Sequence, residues 1–231
     1  ALDTSRPATS TDAAAVLARL DALVGPATMA MAGPRFFGFV IGGALPVTVA
    51  ANWLATAWDQ NAALATATPG VSRIEAIALT WLKDLFGLPA STQGAFVTGA
   101  TMANFTALAA ARHRVLMQAG WQVEAEGLFG APPITVIVGE EAHPTLIKSL
   151  GLLGLGRKRV VRVPVDGQGR MRADRLPRLA GPTILCLQAG NLNTGAFDPL
   201  TDLCAAAREA GAWCHVDGAF GLWARACPQR R

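Results

Sequence analysis

The sequence predicts an α/β protein built on a mainly parallel, doubly wound sheet. From about residue 72 onwards, short β-branched runs alternate with stretches that are apolar at helical spacing. Strands separated by helices imply crossover connections, which make neighbouring strands parallel. Of the 231 residues, 52% are apolar and only 16% are charged. This composition argues against disorder and provides for a sizeable core.

The first seventy residues follow a different pattern. A helix is predicted over 12–23, a turn at Gly33 and Pro34, and an uncharged apolar segment over 39–58. That segment is as long as a bilayer span, but glycine, proline and asparagine interrupt it and alanine supplies most of its apolarity. A buried helix or a subunit interface is the better interpretation. We therefore divide the chain into a helical arm, 1–70, expected at a dimer interface, and a large ligand-binding domain, 71–231.

Within the large domain, Ser72 and Glu75 form a predicted capping box that starts a helix, and Gly87 and Pro89 end it. The remaining strands are predicted over 95–98, 134–138, 160–163, 184–187 and 212–216. The remaining helices are predicted over 101–117, 143–153 and 200–210.

Charge and cysteine usage narrow the class of protein. The net charge of +4 is modest and the arginines are scattered, so nucleic-acid binding is not expected. No secretory leader is recognisable at the N-terminus. The four cysteines have no C-x-x-C spacing, so we predict buried free thiols in a cytoplasmic protein and no metal site. They are Cys186, Cys204, Cys214 and Cys227.

An aspartate and a small-residue turn are the first candidates for a ligand site. Asp217 ends the last predicted strand and precedes two glycines and Ala219; open α/β sheets bind ligands at this edge. Near Gly99, a predicted strand passes into a helix through Ala100 and Thr101. The N–H groups of such a turn can bind phosphate. An ordinary turn capped by Thr101 is the alternative.

Two histidines and a second aspartate accompany these candidates. His143 follows the strand predicted over 134–138, where it could act as acid or base, ligate a metal, stack on an aromatic ligand, or simply bond to backbone at a helix start. His215 lies two residues before Asp217 on the same strand, as a supporting group or a packing residue. Asp198 is predicted to cap the helix that follows it.

Four motifs in this order carry a family resemblance. They are Thr-Gly-Ala-Thr-Met-Ala-Asn at 98–104, His-Pro-Thr-Leu-Ile-Lys at 143–148, Val-Pro-Val-Asp-Gly-Gln-Gly-Arg-Met at 163–171 and His-Val-Asp-Gly-Ala at 215–219. Together the motifs resemble the group II pyridoxal-phosphate decarboxylases, which act on aromatic amino acids, glutamate or diaminobutyrate. The resemblance runs from about Arg35 to the C-terminus. It implies the aminotransferase-like fold (fold type I), pyridoxal 5'-phosphate as cofactor, an amino-acid substrate and a homodimer.

The resemblance also implies a role for each matching residue. Ala100 and Thr101 would hold the cofactor phosphate, and His143 would stack on the pyridine ring. Asp217 would pair with the ring N–H and keep it protonated. His143 and Asp217 are thus the expected catalytic residues. Ala219 would pack against the ring.

Three further assignments follow from the resemblance. Asn191 stands where many relatives carry a threonine near the ring oxygen, and Thr194 is its rival for that role. Phe36 would line the substrate pocket near the partner subunit. Gly33 stands where relatives often carry histidine, which is a departure from the family pattern at the substrate contact.

The lysines do not match the family pattern. The chain has only Lys83, Lys148 and Lys158, whereas the family's Schiff-base lysine follows the aspartate motif by some tens of residues, beyond Arg231. We therefore expect an N-terminal fragment whose large domain is incomplete at its C-terminus, without decarboxylase activity or covalent cofactor of its own.

Three alternatives remain open at this point. The chain could come from another fold type I enzyme, an aminotransferase or a desulfurase-like lyase. It could be a degenerate, non-catalytic relative that acts as a binding protein. A nicotinamide-binding domain is disfavoured, because no glycine fingerprint follows the first strand.

Overall fold

The computed structural model describes residues 5, 8–62 and 64–230. The chain divides between Gln60 and Asn61 into two compact units. The described residues of the first unit form two α-helices, Ala13–Val24 (α1) and Pro46–Trp58 (α2). Asp12 caps α1, since its Oδ2 accepts a hydrogen bond from the Ala15 N–H at 3.1 Å. The helix predicted over 12–23 is confirmed.

Helix α2 occupies the later part of the apolar segment predicted to be buried or at an interface. No residue of α2 is buried, and Trp53 is 71% exposed. The described residues of the first unit therefore leave the apolar side chains of α2 uncovered within that unit. Location at a subunit interface stays a prediction. No helix among the described residues combines the length and apolar character that crossing a bilayer requires.

The second unit contains all the strands of the described residues. Its helices are Pro69–Leu85 (α3), Ala100–Gln118 (α4), Val123–Glu126 (α5), Pro144–Leu152 (α6) and Leu200–Glu209 (α7), and its strands are Thr135–Gly139 (β1), Val161–Val163 (β2), Thr183–Gln188 (β3) and Trp213–Asp217 (β4). The strands form one sheet in the order β2-β1-β3-β4, and every neighbouring pair is parallel. The strands predicted over 134–138, 160–163, 184–187 and 212–216 are confirmed, with each end within one residue.

Both faces of the sheet are covered, which explains why its central strands are continuously apolar. Val136 and Val138 point into a core shared with α4 and α6. Ile137 and Leu185 point into a second core, shared with α7. These side chains are at most 3% exposed. Two cores on opposite faces make the sheet doubly wound, as predicted.

The strand predicted over 95–98 does not form. The backbone there is irregular, and Phe96 and Val97 are 53% and 40% exposed. A β-branched or aromatic run becomes a strand only when a neighbouring strand pairs with it. No strand among the described residues does so.

The predicted capping box at Ser72 is also wrong. Helix α3 begins one turn earlier, at Pro69, with Thr68 in the capping position. Proline suits the first helical position because its fixed φ fits the helix and the missing N–H is not needed there. The Ser72 hydroxyl instead donates to the Ala62 carbonyl at 3.0 Å. The predicted end of the helix at Gly87 is close to the observed one, and Gly87 has a φ of +60°.

The cysteines are free thiols, but they are less buried than predicted. Only Cys186 is fully buried, Cys204 and Cys214 are half-buried, and Cys227 is exposed. Burial raises the pKa of the Cys186 thiol well above its usual range. Cys227 lies beyond the last strand, where no core is available to cover it.

Candidate cofactor-binding site

Four of the residues predicted from sequence lie at one edge of the sheet: Ala100, His143, Asp217 and Ala219. Asp217 is the last residue of β4, and His143 follows β1 by four residues. Because all four strands are parallel, their carboxyl ends meet at the same edge. Helix α4 brings Ala100 to this edge, since Ala100, Asp217 and Ala219 line one cavity.

Both carboxylate oxygens of Asp217 have hydrogen-bond donors. Oδ2 accepts from the Asn104 Nδ2 at 3.0 Å, and Oδ1 accepts from the backbone N–H of Ala219 at 3.1 Å. The side chain remains partly accessible. Asp217 is therefore held in one orientation while it can still meet a ligand.

Asn104 links Asp217 to the interior of the sheet. Its side chain is 4% exposed, and its Oδ1 lies 2.7 Å from the His215 Nε2. Its Nδ2 also reaches the Thr145 hydroxyl at 3.4 Å. Sequence reasoning included Asn104 in a motif but gave it no role. An amide just over one turn into a helix carries no sequence signal of contacts to residues more than forty positions away.

His215 is the supporting group that the sequence left open as one of two alternatives. It is 6% exposed, and burial lowers its pKa below the ordinary histidine value, with the nearby Asp217 charge acting in the opposite direction. A neutral imidazole is thus favoured here. Among the described residues, hydrogen bonds connect His215 to Asp217 through Asn104.

His143 is held by the residue two positions further on. It occupies the capping position of α6, and its Nδ1 accepts from the Thr145 backbone N–H at 3.3 Å. The Thr145 hydroxyl lies 2.8 Å from the same nitrogen. These two contacts fix the imidazole plane, and both involve Nδ1, so Nε2 takes no part in capping the helix. The backbone-bonding alternative for His143 is therefore present, and the side chain remains partly accessible.

The N-terminus of α4 is open. Gly99 occupies the capping position with a φ of +150°, and no side chain caps the helix, so the alternative of a turn capped by Thr101 is not observed. The first N–H groups of an α-helix lack intrahelical acceptors, and the helix dipole favours an anion there. Ser149 anchors this end by donating to the Thr101 carbonyl at 2.9 Å.

Two depressions meet at Asp217. A cavity of about 730 Å³ is lined by the start of α4 and the segment after β4, including Ala100, Asn104, Asp217 and Ala219. A much smaller one, of about 10 Å³, is lined by His143 and also by Asp217. Small-molecule sites in proteins commonly have a volume of about 300–1,000 Å³.

Asn191 and Thr194 serve a loop contact beside the site. Asn191 is 2% exposed and donates from Nδ2 to the Glu141 Oε2 at 2.7 Å. Its Oδ1 accepts from the N–H groups of Asn193 and Thr194, and the Thr194 hydroxyl donates to the Gln168 carbonyl at 2.7 Å. For both residues, contact with a cofactor ring oxygen stays a prediction.

Asp198 is not the helix cap that the sequence predicted. Helix α7 has Pro199 in its capping position. The Asp198 carboxylate instead accepts from the N–H groups of Met171 and Gln188, both at 2.7 Å. The carboxylate is buried and joins the turn after β2 to the end of β3. Residues that cap helices, in contrast, normally face solvent.

The three lysines lie away from both depressions. Lys83 donates from Nζ to the Ala90 carbonyl at 2.9 Å, Lys148 is exposed on α6, and Lys158 is exposed in the turn before β2. None of them lines the two depressions. Phe36 belongs to the first unit and is partly exposed; its predicted contact with substrate is untested.

Comparison with known proteins places this site in a family. A family model described as the pyridoxal-dependent decarboxylase conserved domain matches residues 1–231. The aromatic-L-amino-acid decarboxylase of Bacillus atrophaeus is 31% identical over 81% of this chain, and L-2,4-diaminobutyrate decarboxylase of Rhizobium meliloti is 31% identical over 74%. The apo crystal structure of mouse CSAD superimposes with a TM-score of 0.86 at 25% identity, covering 96% of this chain. These likenesses confirm the predicted fold type I class.

The chain spans less than half the length of these relatives. It covers 38% of the Bacillus enzyme, 33% of the Rhizobium enzyme and 47% of mouse CSAD. The family match nevertheless extends over every residue of the chain, including the aspartate, histidine and helix start that meet at the sheet edge. The chain therefore belongs to the pyridoxal-dependent decarboxylase family.

Proposed function

We propose that the edge formed by Asp217, His143 and the start of α4 binds pyridoxal 5'-phosphate, and that the whole protein is an amino-acid decarboxylase, a carboxy-lyase. The observation that carries the proposal is Asp217, whose two oxygens are fixed by Asn104 and Ala219 at the end of β4. The family match supports it.

The donor set fits each part of the cofactor. A carboxylate is the partner that a protonated pyridine nitrogen requires, because a charge-assisted hydrogen bond stabilises the protonated form. The uncapped start of α4 offers N–H groups and a positive dipole end to a phosphate. The His143 ring, held through Nδ1, offers a flat face for the pyridine.

The chain's own residues then have distinct tasks. Pyridoxal phosphate supplies an electron sink for the carbon from which carbon dioxide departs. Asp217 holds the proton at the ring nitrogen, which such a sink needs. His143 orients the ring and excludes water from one face, and Ala219 allows the ring to approach the backbone.

The substrate, assembly and location of the whole protein are part of the same proposal. We propose an amino-acid substrate, a homodimer and a cytoplasmic location. The dimer would cover the exposed apolar side chains of α1 and α2, such as Leu17 and Trp53, which are 66% and 71% exposed. Sedimentation of the whole protein as a monomer would contradict that part.

The first test replaces the carboxylate. Asp217→Asn should weaken pyridoxal-phosphate binding about 10- to 100-fold, the effect of a hydrogen bond to a charged group. Binding is measured by equilibrium dialysis of the 231-residue chain. Asp202→Asn, at an exposed position in the first turn of α7, is the matched control and should bind as the wild type does. Equal affinities for the two variants would contradict the assignment of Asp217.

The second test concerns covalent attachment. Because none of the three lysines lines the site, we propose that this 231-residue polypeptide binds the cofactor only non-covalently and does not decarboxylate amino acids. Borohydride reduction with pyridoxal phosphate, followed by mass spectrometry, should give no stoichiometric pyridoxyl-lysine. A stoichiometric pyridoxyl adduct on Lys148, together with amino-acid decarboxylation by this polypeptide, would contradict this proposal.

The alternatives differ in what they predict for the whole protein. The family match favours a decarboxylase over an aminotransferase or a desulfurase-like lyase. A non-catalytic binding protein is the remaining alternative. Release of carbon dioxide from amino acids by the whole protein would exclude it.

A further inference from the structure

We infer that Asn104 is a positioning residue that, aligned by the Asp217 carboxylate, places the imidazole proton of both His215 and His143 on Nε2. The inference rests on the proposed function and deepens it, since it names a residue that connects the two side chains expected to meet the cofactor, Asp217 and His143. It rests on a chain of five side chains, His215, Asn104, Asp217, Thr145 and His143.

The first step fixes the Asn104 amide. A carboxylate only accepts hydrogen bonds, and an Asn104 atom lies 3.0 Å from the Asp217 Oδ2. An amide oxygen at that distance would place two acceptors against each other. The Nδ2 of Asn104 must therefore face Asp217, and the charge of the carboxylate fixes the orientation of the amide.

The second step fixes His215. With Nδ2 facing Asp217, the Asn104 Oδ1 lies 2.7 Å from the His215 Nε2. Amide oxygen is an acceptor, so His215 must donate and Nε2 carries the proton. Both side chains are at most 6% exposed. A proton on Nδ1 of His215 instead would leave two buried acceptors, Nε2 and the Asn104 Oδ1, facing each other. Burial also favours the neutral ring by lowering the His215 pKa.

The third step determines which nitrogen of His143 carries the proton. The other Nδ2 hydrogen of Asn104 points to the Thr145 Oγ1 at 3.4 Å, so that hydroxyl accepts and its own hydrogen is free to donate. The nearest acceptor is the His143 Nδ1 at 2.8 Å, which also accepts from the Thr145 N–H. Nδ1 therefore carries no proton in the neutral ring, and the proton lies on Nε2.

The test reads the tautomers directly, without cofactor. Nitrogen-15 NMR of the histidine-labelled chain distinguishes Nε2–H from Nδ1–H rings, and His→Gln variants assign the three histidines. At pH 8, His215 and His143 should both be Nε2–H forms. His113 is an internal contrast, since its Nδ1 lies 2.7 Å from the Glu124 carboxylate and should be the protonated nitrogen.

Variants separate Asn104 from the intrinsic preference of imidazole. Asn104→Leu approximately keeps the side-chain volume and removes the hydrogen bonds to His215 and Thr145. The preference for the Nε2–H form should therefore fall about tenfold for His215 and also decrease for His143. Asn193→Leu, at an exposed asparagine, is the matched control and should leave both rings unchanged. Thr145→Val should lower the preference about fivefold for His143 alone.

The outcomes decide the inference independently of cofactor binding. An Nδ1–H form of His215 in the wild type would overturn it, and so would unchanged tautomers in Asn104→Leu. If Asn104→Leu does not fold, an unchanged His143 in Thr145→Val overturns the inference. A chain that shows the expected tautomers but binds no pyridoxal phosphate contradicts the proposed function alone.

Discussion

At the residue scale, Asp198 holds together two backbone segments beside the candidate site. Its two oxygens accept from the N–H groups of Met171 and Gln188, so one side chain joins the turn after β2 to the end of β3. Burial raises the Asp198 pKa, while the two N–H donors act in the opposite direction. A carboxylate suits this position because no other side chain of its size offers two equivalent acceptor oxygens.

Asp198→Asn should therefore lower the free energy of unfolding by about 2 kcal/mol, since the new amide nitrogen would face a backbone N–H and leave it unsatisfied. Urea unfolding measures the change. Asp174→Asn is the matched control, because Asp174 belongs to an exposed ion pair with Arg172, and such pairs contribute little. A larger loss in the control than in Asp198→Asn would contradict this account.

Much of the site at this scale could be predicted from sequence. Asp217, His143 and Ala100 follow from their positions at strand and helix ends, because the chain order of a parallel sheet brings such ends to one edge. Asn104 could not be predicted in the same way. Its partner Asp217 is 113 residues away, and no local pattern distinguishes an amide with such a partner from one facing solvent.

At the element scale, the segment after β4 packs back onto the end of β3. Gly221 begins a short 3-10 helix, Gly221–Ala226, and lies against the carbonyl of Ala189. A Cβ at Gly221 would overlap that carbonyl oxygen and would also lie 2.9 Å from the Phe197 ring. The close approach positions the loop that carries Ala219.

Gly221→Ala should destabilise the fold by about 1–3 kcal/mol through overpacking, and pyridoxal-phosphate affinity should fall with it because the Ala219 loop must shift. Chemical denaturation and dialysis give the two readouts. Gly167→Ala is the control, since a Cβ there meets no atom within 4 Å. A Gly221→Ala protein as stable as this control would disprove the packing argument.

The errors in the predicted elements have different physical causes. The run over 95–98 has the composition of a strand, but a strand also needs a neighbour, and pairing is decided by the rest of the fold. At α3, Ser72 and Glu75 have capping-box spacing, yet Pro69 starts the helix earlier. Local patterns set what a segment can form, while tertiary context selects among the choices.

At the scale of the whole molecule, His215 links stability to pH. Its folded pKa is lowered from 6.5 by burial, so the unfolded chain binds a proton more readily than the folded chain. The stabilisation from neutral His215 is therefore complete above pH 6.5 and is lost as the pH falls towards the folded pKa. The free energy of unfolding should decrease by at most about 1.4 kcal/mol per pH unit from this group.

The measurement is urea unfolding between pH 7.5 and 5.5 for the wild type and His215→Gln. The variant should have a flatter profile, and the difference between the two isolates the histidine, since Asp198, with its raised pKa, acts in the opposite direction in both proteins. His113→Gln, at an exposed histidine, should follow the wild type. Parallel profiles for wild type and His215→Gln would refute the linkage.

Strand β4, which carries Asp217, is an edge strand and pairs with β3 alone among the described strands. Its Val216 is 41% exposed. An edge that presents unpaired backbone groups beside apolar side chains is a template for self-association and aggregation. Among the described residues this free edge ends at the proposed ligand site. A ligand that covers the end of β4 should therefore also slow concentration-dependent light scattering by this 231-residue chain.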